Sequence, residues 1–146
     1  MDKRITHKDV KIGERVFRLK KMDARTGTWI AFLVLGKMAS QGGFGVRAVA
    51  SSMSNYSKEE FLSVQSDALR TVYKIENHEG QEFPVCIVTE SGAWADKDLA
   101  EDVVTLFALT VQAVVFNVQP FFLKGGLSEL VQLLTGMDLN PPATSD

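Results

Sequence analysis

The side chains that most often do chemistry in proteins are few in this chain and lie far apart. There are two histidines, His7 and His78, and a single cysteine, Cys86. One cysteine and two separated histidines, with no acidic partners at a ligand-like spacing, make a poor zinc-binding set. Cys86 lies in the apolar run Pro84-Val85-Cys86-Ile87-Val88, where we expect a thiol to pack as a small hydrophobe. We therefore predict neither a metal site nor a bound cofactor.

Two further patterns that can support catalysis have simpler explanations here. Gly42-Gly43-Phe44-Gly45 has no strong strand before it and no Lys-Ser or Lys-Thr pair after it, and a phosphate-binding loop needs both. The carboxylate pairs Glu59-Glu60 and Glu101-Asp102 stand at the starts of apolar stretches, where capping and the helix dipole account for them. The sequence thus predicts a protein that is not an enzyme.

The balance of charged residues limits the partners of this chain. It has 16 basic and 18 acidic residues, a net charge of −2, and so offers no broad attraction for nucleic acid or for an anionic membrane. Basic residues gather near the start without stacking aromatics or a reading helix, so we predict no nucleic-acid binding.

The longest apolar stretch, Val103 to Val118, is interrupted by polar residues and is shorter than the ~20 residues of a membrane span. No signal-peptide pattern opens the sequence, and one cysteine suits a reducing compartment. We predict a soluble, cytoplasmic protein with no membrane partner.

The elements that must position any site begin with two predicted β-hairpins. Residues 9–20 alternate around Gly13, so that Phe17 and Leu19 share the buried face of a strand. Residues 71–88 contain two β-rich runs separated by a polar loop that includes Gly80.

Two helices are predicted in the first half. Asp23 is a candidate N-cap for an apolar helix over residues 24–40. Ser57-Lys58-Glu59-Glu60 has the form of a capping box, which predicts a helix from there to about Arg70. The Gly- and Ser-rich stretch 42–55 fits either a loop or a weak helix.

The longest helix is predicted to start at Asp96 or Asp98 and to run to Asn117 or Gln119, because Pro120 ends or kinks it. It is apolar on two faces, which places it at the centre of the core. A short amphipathic helix is predicted over Leu127 to Thr135.

These elements predict an α+β fold, dominated by helices, with two small antiparallel hairpins (about residues 9–20 and 71–88) and a long central C-terminal helix. Residues 1–139 form a single predicted globular domain. Residues 140–146, which contain two prolines and small polar residues, form a predicted disordered tail.

The two apolar helices contain more apolar residues than ordinary one-faced helices need. The surplus either fills the core or contributes to an interface with another protein. The candidates for partner binding are aromatic: Trp29, Phe32, Phe116, Phe121 and Phe122.

Three segments together carry a family resemblance. The first is Val16-Phe17-Arg18-Leu19-Lys20-Lys21-Met22-Asp23-Ala24, which precedes an apolar helix with Trp29. The second is the middle run with Phe61-Leu62 to Leu69, then Tyr73-Lys74-Ile75 and Pro84-Val85. The third is Val115-Phe116-Asn117-Val118-Gln119-Pro120-Phe121-Phe122. In these segments the chain resembles the tail assembly chaperones of long-tailed bacteriophages and prophages.

The resemblance implies a non-enzymatic chaperone that binds and solubilises the tape-measure protein in the host cytoplasm during tail morphogenesis. It also implies association with further copies or with a longer frameshifted form, and absence from the finished virion. Two alternatives remain open: a structural tail-completion or connector component of the virion, and a small bacterial ligand-binding or regulatory domain.

Overall fold

The computed structural model describes residues 6–38, 45–121 and 132–136. The strands are β1 (His7–Ile12), β2 (Arg15–Lys20), β3 (Val72–His78) and β4 (Gln81–Cys86). The helices are α1 (Ala24–Lys37), α2 (Val46–Ser52), α3 (Lys58–Leu69) and α4 (Val103–Val118). Short 3-10 turns occupy Met53–Asn55, Leu99–Glu101 and Gln119–Phe121. The predicted α+β class with a long C-terminal helix is confirmed.

Both predicted hairpins are present, and they form adjacent halves of one antiparallel sheet. Its strand order is β1-β2-β3-β4, with Leu19 opposite Val72 where the two hairpins join. The Lys20 amide extends this junction by donating to the Thr71 carbonyl at 3.0 Å. Helices α1 to α3 lie between β2 and β3 in the sequence, so three helices connect the two hairpins of the sheet.

Each hairpin has the two-residue turn that its sequence permits. In the first, Gly13 alone has a positive φ, 63°, as in a type II′ turn. In the second, Glu79 (φ 52°) and Gly80 (φ 82°) are both left-handed, as in a type I′ turn. Both turns match the right-handed twist of the strands they join.

The core lies between one face of the sheet and the helices. Phe17, Leu19 and Val72 are fully buried on that face, which confirms the predicted alternation. Helix α4 is the centre of the helical layer, since α1, α2, α3 and β2 all contact it. Its buried residues are Thr105, Leu109, Thr110, Val111, Ala113, Val114, Phe116 and Val118.

The predicted start of the longest helix, at Asp96 or Asp98, was wrong. Helix α4 begins after Asp102, and Leu99–Glu101 forms a separate 3-10 turn before it. The Asp102 carboxylate accepts from the Thr105 amide at 3.1 Å and from the Arg15 guanidinium at 2.8 Å. That second contact, from a strand 87 residues earlier, favours Asp102 as the cap over its acidic neighbours.

The predicted starts of α1 and α3 are confirmed. Asp23 caps α1 by accepting from the Arg25 amide. Ser57 and Glu60 form a reciprocal capping box at the start of α3, with bonds of 2.8 and 3.0 Å. Helix α1 ends at Lys37, and residues 39 and 40 of its predicted range lie outside the described residues.

The stretch 42–55, for which a loop or a weak helix was predicted, is helical from Val46 to Asn55 in its described part. Of the predicted helix Leu127 to Thr135, residues 132–135 are described, and 132–136 are helical. The predicted tail, 140–146, lies outside the described residues, so the domain boundary at 139 stays a prediction.

Residues Val103–Phe121 form a 19-residue helical stretch that is long and apolar enough, by length and composition, to cross a membrane. It includes the 3-10 turn after α4, so it is longer than the apolar stretch noted in the sequence, and length alone does not exclude a span. Buried core helices meet the same criteria, and here α4 is packed among three helices and a strand. The absence of a membrane partner stays a prediction.

Candidate partner-binding site

The five aromatic candidates occupy three different environments. Trp29 and Phe32 are exposed on α1, at 51% and 62% of their full surface. Phe116 is 6% exposed and belongs to the core. Phe121 is partly buried against the core, and Phe122 lies outside the described residues.

The exposure of Trp29 and Phe32 follows from the way α1 packs. Ile30 and Val34, four residues apart, are fully buried. Trp29 and Phe32 are three residues apart, and Gly36 follows four residues after Phe32, so these three line one outer face of the helix. Helix α1 is therefore apolar on its outward-facing side as well as on the side that packs against the core.

These residues line a shallow, open depression of about 390 Å³ beside the start of α3. We name this depression the α1 surface; its residues are Trp29, Phe32, Leu33, Gly36, Lys37 and Glu60. A β-carbon added to Gly36 would meet no atom within 4 Å. The glycine thus leaves space that a partner side chain can fill.

The rim of the α1 surface is held in place by charge. The Lys37 ammonium lies 3.1 Å from the Glu60 carboxylate, which also accepts the Ser57 amide in the capping box. The Ser57 amide and, secondarily, Lys37 lower the pKa of Glu60 below its usual value. The same carboxylate thus caps α3 and fixes α1 beside it, a link between two predicted helices that the sequence alone did not reveal.

Phe116 has a structural role within the chain. The Lys21 ammonium lies 4.0 Å from the centre of its ring and donates to the Phe116 carbonyl at 2.9 Å. Burial lowers the pKa of Lys21. The neighbouring Asn117 side chain accepts from the Met22 amide at 2.8 Å. This end of α4 is therefore attached to the connection between β2 and α1.

Sequence reasoning missed a second exposed apolar region at the start of α4. Val103 and Val104 are 77% and 79% exposed, and Phe107, Leu62 and Trp94 are also exposed. A depression of about 220 Å³ lies between α3, the segment 88–94 and Leu106 of α4; we name it the α3–α4 groove. It is lined by Leu62, Gln65, Ser66, Leu69, Arg70, Val88, Gly92, Trp94 and Leu106. The adjacent valines directly after the Asp102 cap were the signal available in the sequence.

A comparison with known protein families decides the identity. The profile of the family described as "Phage tail assembly chaperone protein, TAC" matches residues 13–129, most of the chain. This chain belongs to the phage tail assembly chaperone family. The resemblance stated from the sequence is confirmed. Neither the curated proteins nor the solved structures gave a match.

The family match extends over most of the described fold of this tail assembly chaperone. It begins at the turn between β1 and β2 and continues past the end of α4. The α1 surface and the α3–α4 groove both lie within it, whereas the whole of β1 precedes it.

The residues considered for chemistry do not converge within the described part of the chaperone. No group of three or more His, Cys, Asp or Glu side chains there is placed to hold a metal ion. His78 lies 3.4 Å from Glu76 on the exposed second hairpin, whereas Cys86 is half-buried at the end of β4.

Proposed function

We propose that this tail assembly chaperone binds and solubilises the tape-measure protein, and that the α1 surface contacts its apolar helical segments. The observation that carries the proposal is the exposure of Trp29 and Phe32 on a helix that is otherwise anchored in the core. Large aromatic side chains presented by a rigid element are typical anchors of protein interfaces.

The size of the α1 surface suits weak and repeated binding. An aromatic side chain buries 150–250 Å² when fully covered, and about half of each ring is free here. At about 25 cal/mol per Å², covering both rings contributes roughly 5 kcal/mol before the costs of association. A single copy would thus bind weakly, and many copies along one long client would be needed to keep it soluble.

The chemistry of the α1 surface favours tolerance of client sequence. Its only ion pair, Lys37 with Glu60, is formed within the chaperone, so it requires no charged partner on the client. The space beside Gly36 accepts side chains of different sizes. Apolar residues of a client helix, spaced three or four apart, would lie along Trp29 and Phe32.

We further propose that the chaperone works in the host cytoplasm, without catalysis and without nucleic-acid or membrane partners. It would associate with further copies of itself or with a longer frameshifted form. Family membership favours this reading over a ligand-binding domain. The remaining alternative, a structural tail component, predicts that the protein is retained in purified virions.

The test is co-expression with the tape-measure protein encoded by the same phage or prophage. Changing Trp29 and Phe32 together to Ser should lower the soluble fraction of that protein several-fold, because both rings of the α1 surface are lost. Circular dichroism should show the chaperone still folded.

A matched control changes two exposed apolar residues of β4, Phe83 and Val85, to Ser; it should leave client solubility unchanged. A second arm changes Val103 and Val104 to Ser. If that arm abolishes client solubility while the α1 variant does not, the client binds at the start of α4 and our assignment of the α1 surface is wrong.

A further inference from the structure

The outer edge of β1 is open to a further strand. The Lys20 amide points toward β3, where it donates to Thr71, so the register pair His7–Lys20 is not hydrogen-bonded. Alternation then turns the backbone N–H and C=O groups of Asp9 and Lys11 away from β2. Across the described residues, no strand pairs with β1 on that side.

The opposite edge of the sheet is protected. The two-residue turn makes His78 and Gln81 a hydrogen-bonded pair. By alternation, Pro84 faces outward at the middle of β4, where it offers no N–H group. Proline at an outward-facing edge position prevents further strands from pairing. The two edges of this sheet are thus chemically different.

The sequence of β1 is complementary to itself. When two β1 strands run antiparallel about Val10, Asp9 lies opposite Lys11 of the second copy, and Val10 lies opposite Val10. Lys8 then lies opposite Ile12. Opposite charges and apolar pairs directly across a sheet are stabilising.

We propose that two copies of this chaperone pair through β1, antiparallel and centred on Val10, to form one continuous eight-stranded sheet. Asp9 and Lys11 carry the outward backbone groups, so the two Asp9–Lys11 pairs supply about four backbone hydrogen bonds. With the pairing centred on Val10, the outward backbone groups of the two strands face each other, and so do the opposite charges of Asp9 and Lys11. The pairing itself does not depend on the proposed client.

Asp9 can serve both its own chain and the second copy. It already accepts two hydrogen bonds from Arg18, at 2.8 and 3.1 Å, and this pairing lowers the pKa of Asp9. The carboxylate therefore stays charged at neutral pH and retains lone pairs for a second cation.

The association should be weak. The contact is one short strand on each side, well below a standard protein interface. In addition, the first hairpin carries five basic residues (Lys8, Lys11, Arg15, Arg18, Lys20) and two acidic residues (Asp9, Glu14), a net charge of +3. Two such hairpins repel each other, so we expect a dimer that depends on concentration.

The pairing has a geometric consequence. Val10 is opposite Phe17 in the register, so it lies on the face of the sheet that meets the helices. When Val10 meets Val10 of the second copy, both helical layers lie on the same side of the joined sheet. One client could then contact both copies at once.

The experiment is sedimentation velocity of the full chain over a concentration series, with three proteins compared. Wild type should show a concentration-dependent dimer. Lys11→Pro removes an outward N–H group, as Pro84 does on β4, and should raise the dimer dissociation constant at least tenfold. Lys11→Ala keeps that N–H group and should have a smaller effect. Circular dichroism confirms that each variant is folded.

A charge exchange tests the register. Lys11→Asp places Asp9 opposite an aspartate, and Asp9→Lys places Lys11 opposite a lysine, so each variant alone should be monomeric. Mixed together, the two should form a heterodimer. A wild type that is monomeric throughout, or a dimer that Lys11→Pro leaves intact, would overturn the proposal. Client solubility measured for Lys11→Pro with the wild-type α1 surface separates this failure from failure of the proposed function.

Discussion

Helices α1 and α4 have similar sequences in one respect and different positions in the fold. Both are apolar around most of their circumference, yet eight of the 16 residues of α4 are buried and only four of the 14 residues of α1. The difference arises because α4 is surrounded by three helices and β2, whereas α1 contacts the core on one side. In this chaperone, the burial of an apolar helix depends on its position in the helical layer. At the periphery of that layer, apolar side chains that the core does not cover remain exposed.

The same lesson applies within α4. In its first turn Val103 and Val104 are exposed, although eight later residues of the same helix are buried. Two residues of the same type as buried Val111 and Val114 thus form part of a second apolar surface.

The largest expected effect on stability is the difference between replacing phenylalanine by alanine in α4 and making the same replacement in α1. Phe116→Ala should lower the free energy of unfolding by about 3–5 kcal/mol, because it leaves a cavity under Lys21. Phe32→Ala should change it by no more than about 0.5 kcal/mol, because the ring is exposed. Urea denaturation followed by circular dichroism measures both. Equal losses would contradict the contrast between the helices.

A smaller effect is expected at the cap of α3, the helix beside the α1 surface. Ser57→Ala removes the acceptor for the Glu60 amide and should lower the free energy of unfolding by about 1 kcal/mol. Thermal and urea unfolding measure it. Ser57→Thr keeps a hydroxyl and is the control that should retain most of the stability.

The smallest effect tests the cap of α4 through its dependence on pH. Arg15 and then the Thr105 amide lower the pKa of Asp102 from 3.8 to about 2. Because the folded value is the lower one, Asp102 contributes full stability above its ordinary pKa and loses it as pH falls toward 2. Asp102→Asn retains a capping side chain but cannot ionise.

The stability difference between wild type and Asp102→Asn should therefore shrink as pH falls from about 5 to about 2. Urea denaturation at several pH values measures this difference, and the subtraction removes the contributions of other carboxylates with lowered pKa, such as Asp9 and Glu60. A difference that is constant with pH would show that the Arg15 contact does not stabilise the charged form.

The local elements could be predicted because their signals lie within a few residues. Phe17 and Leu19 alternate on one strand, and Ser57 and Glu60 define a helix start by themselves. The start of α4 could not be predicted in this way: Asp96 and Asp98 were the predicted starts, whereas the cap is Asp102. The selection depends on Arg15, which only the fold brings near.

The candidate site was predictable only in part. Sequence composition marked both apolar helices as interface candidates, but it could not distinguish exposed Trp29 and Phe32 from buried Phe116. That distinction depends on which helix becomes central. The ion pair of Lys37 with Glu60 was hidden for the same reason, since it joins two helices whose contact is tertiary.

The attachment of the connection between β2 and α1 to the end of α4 also has a consequence for synthesis. Lys21 and Met22 hydrogen-bond to Phe116 and Asn117, partners 95 residues later in the chain. A nascent chain that still lacks α4 cannot make these contacts, and β2 then lacks a helix that packs against it. Because closing contacts of such long sequence separation is slow, this protein, although it protects another, should itself be most prone to aggregation while it emerges from the ribosome.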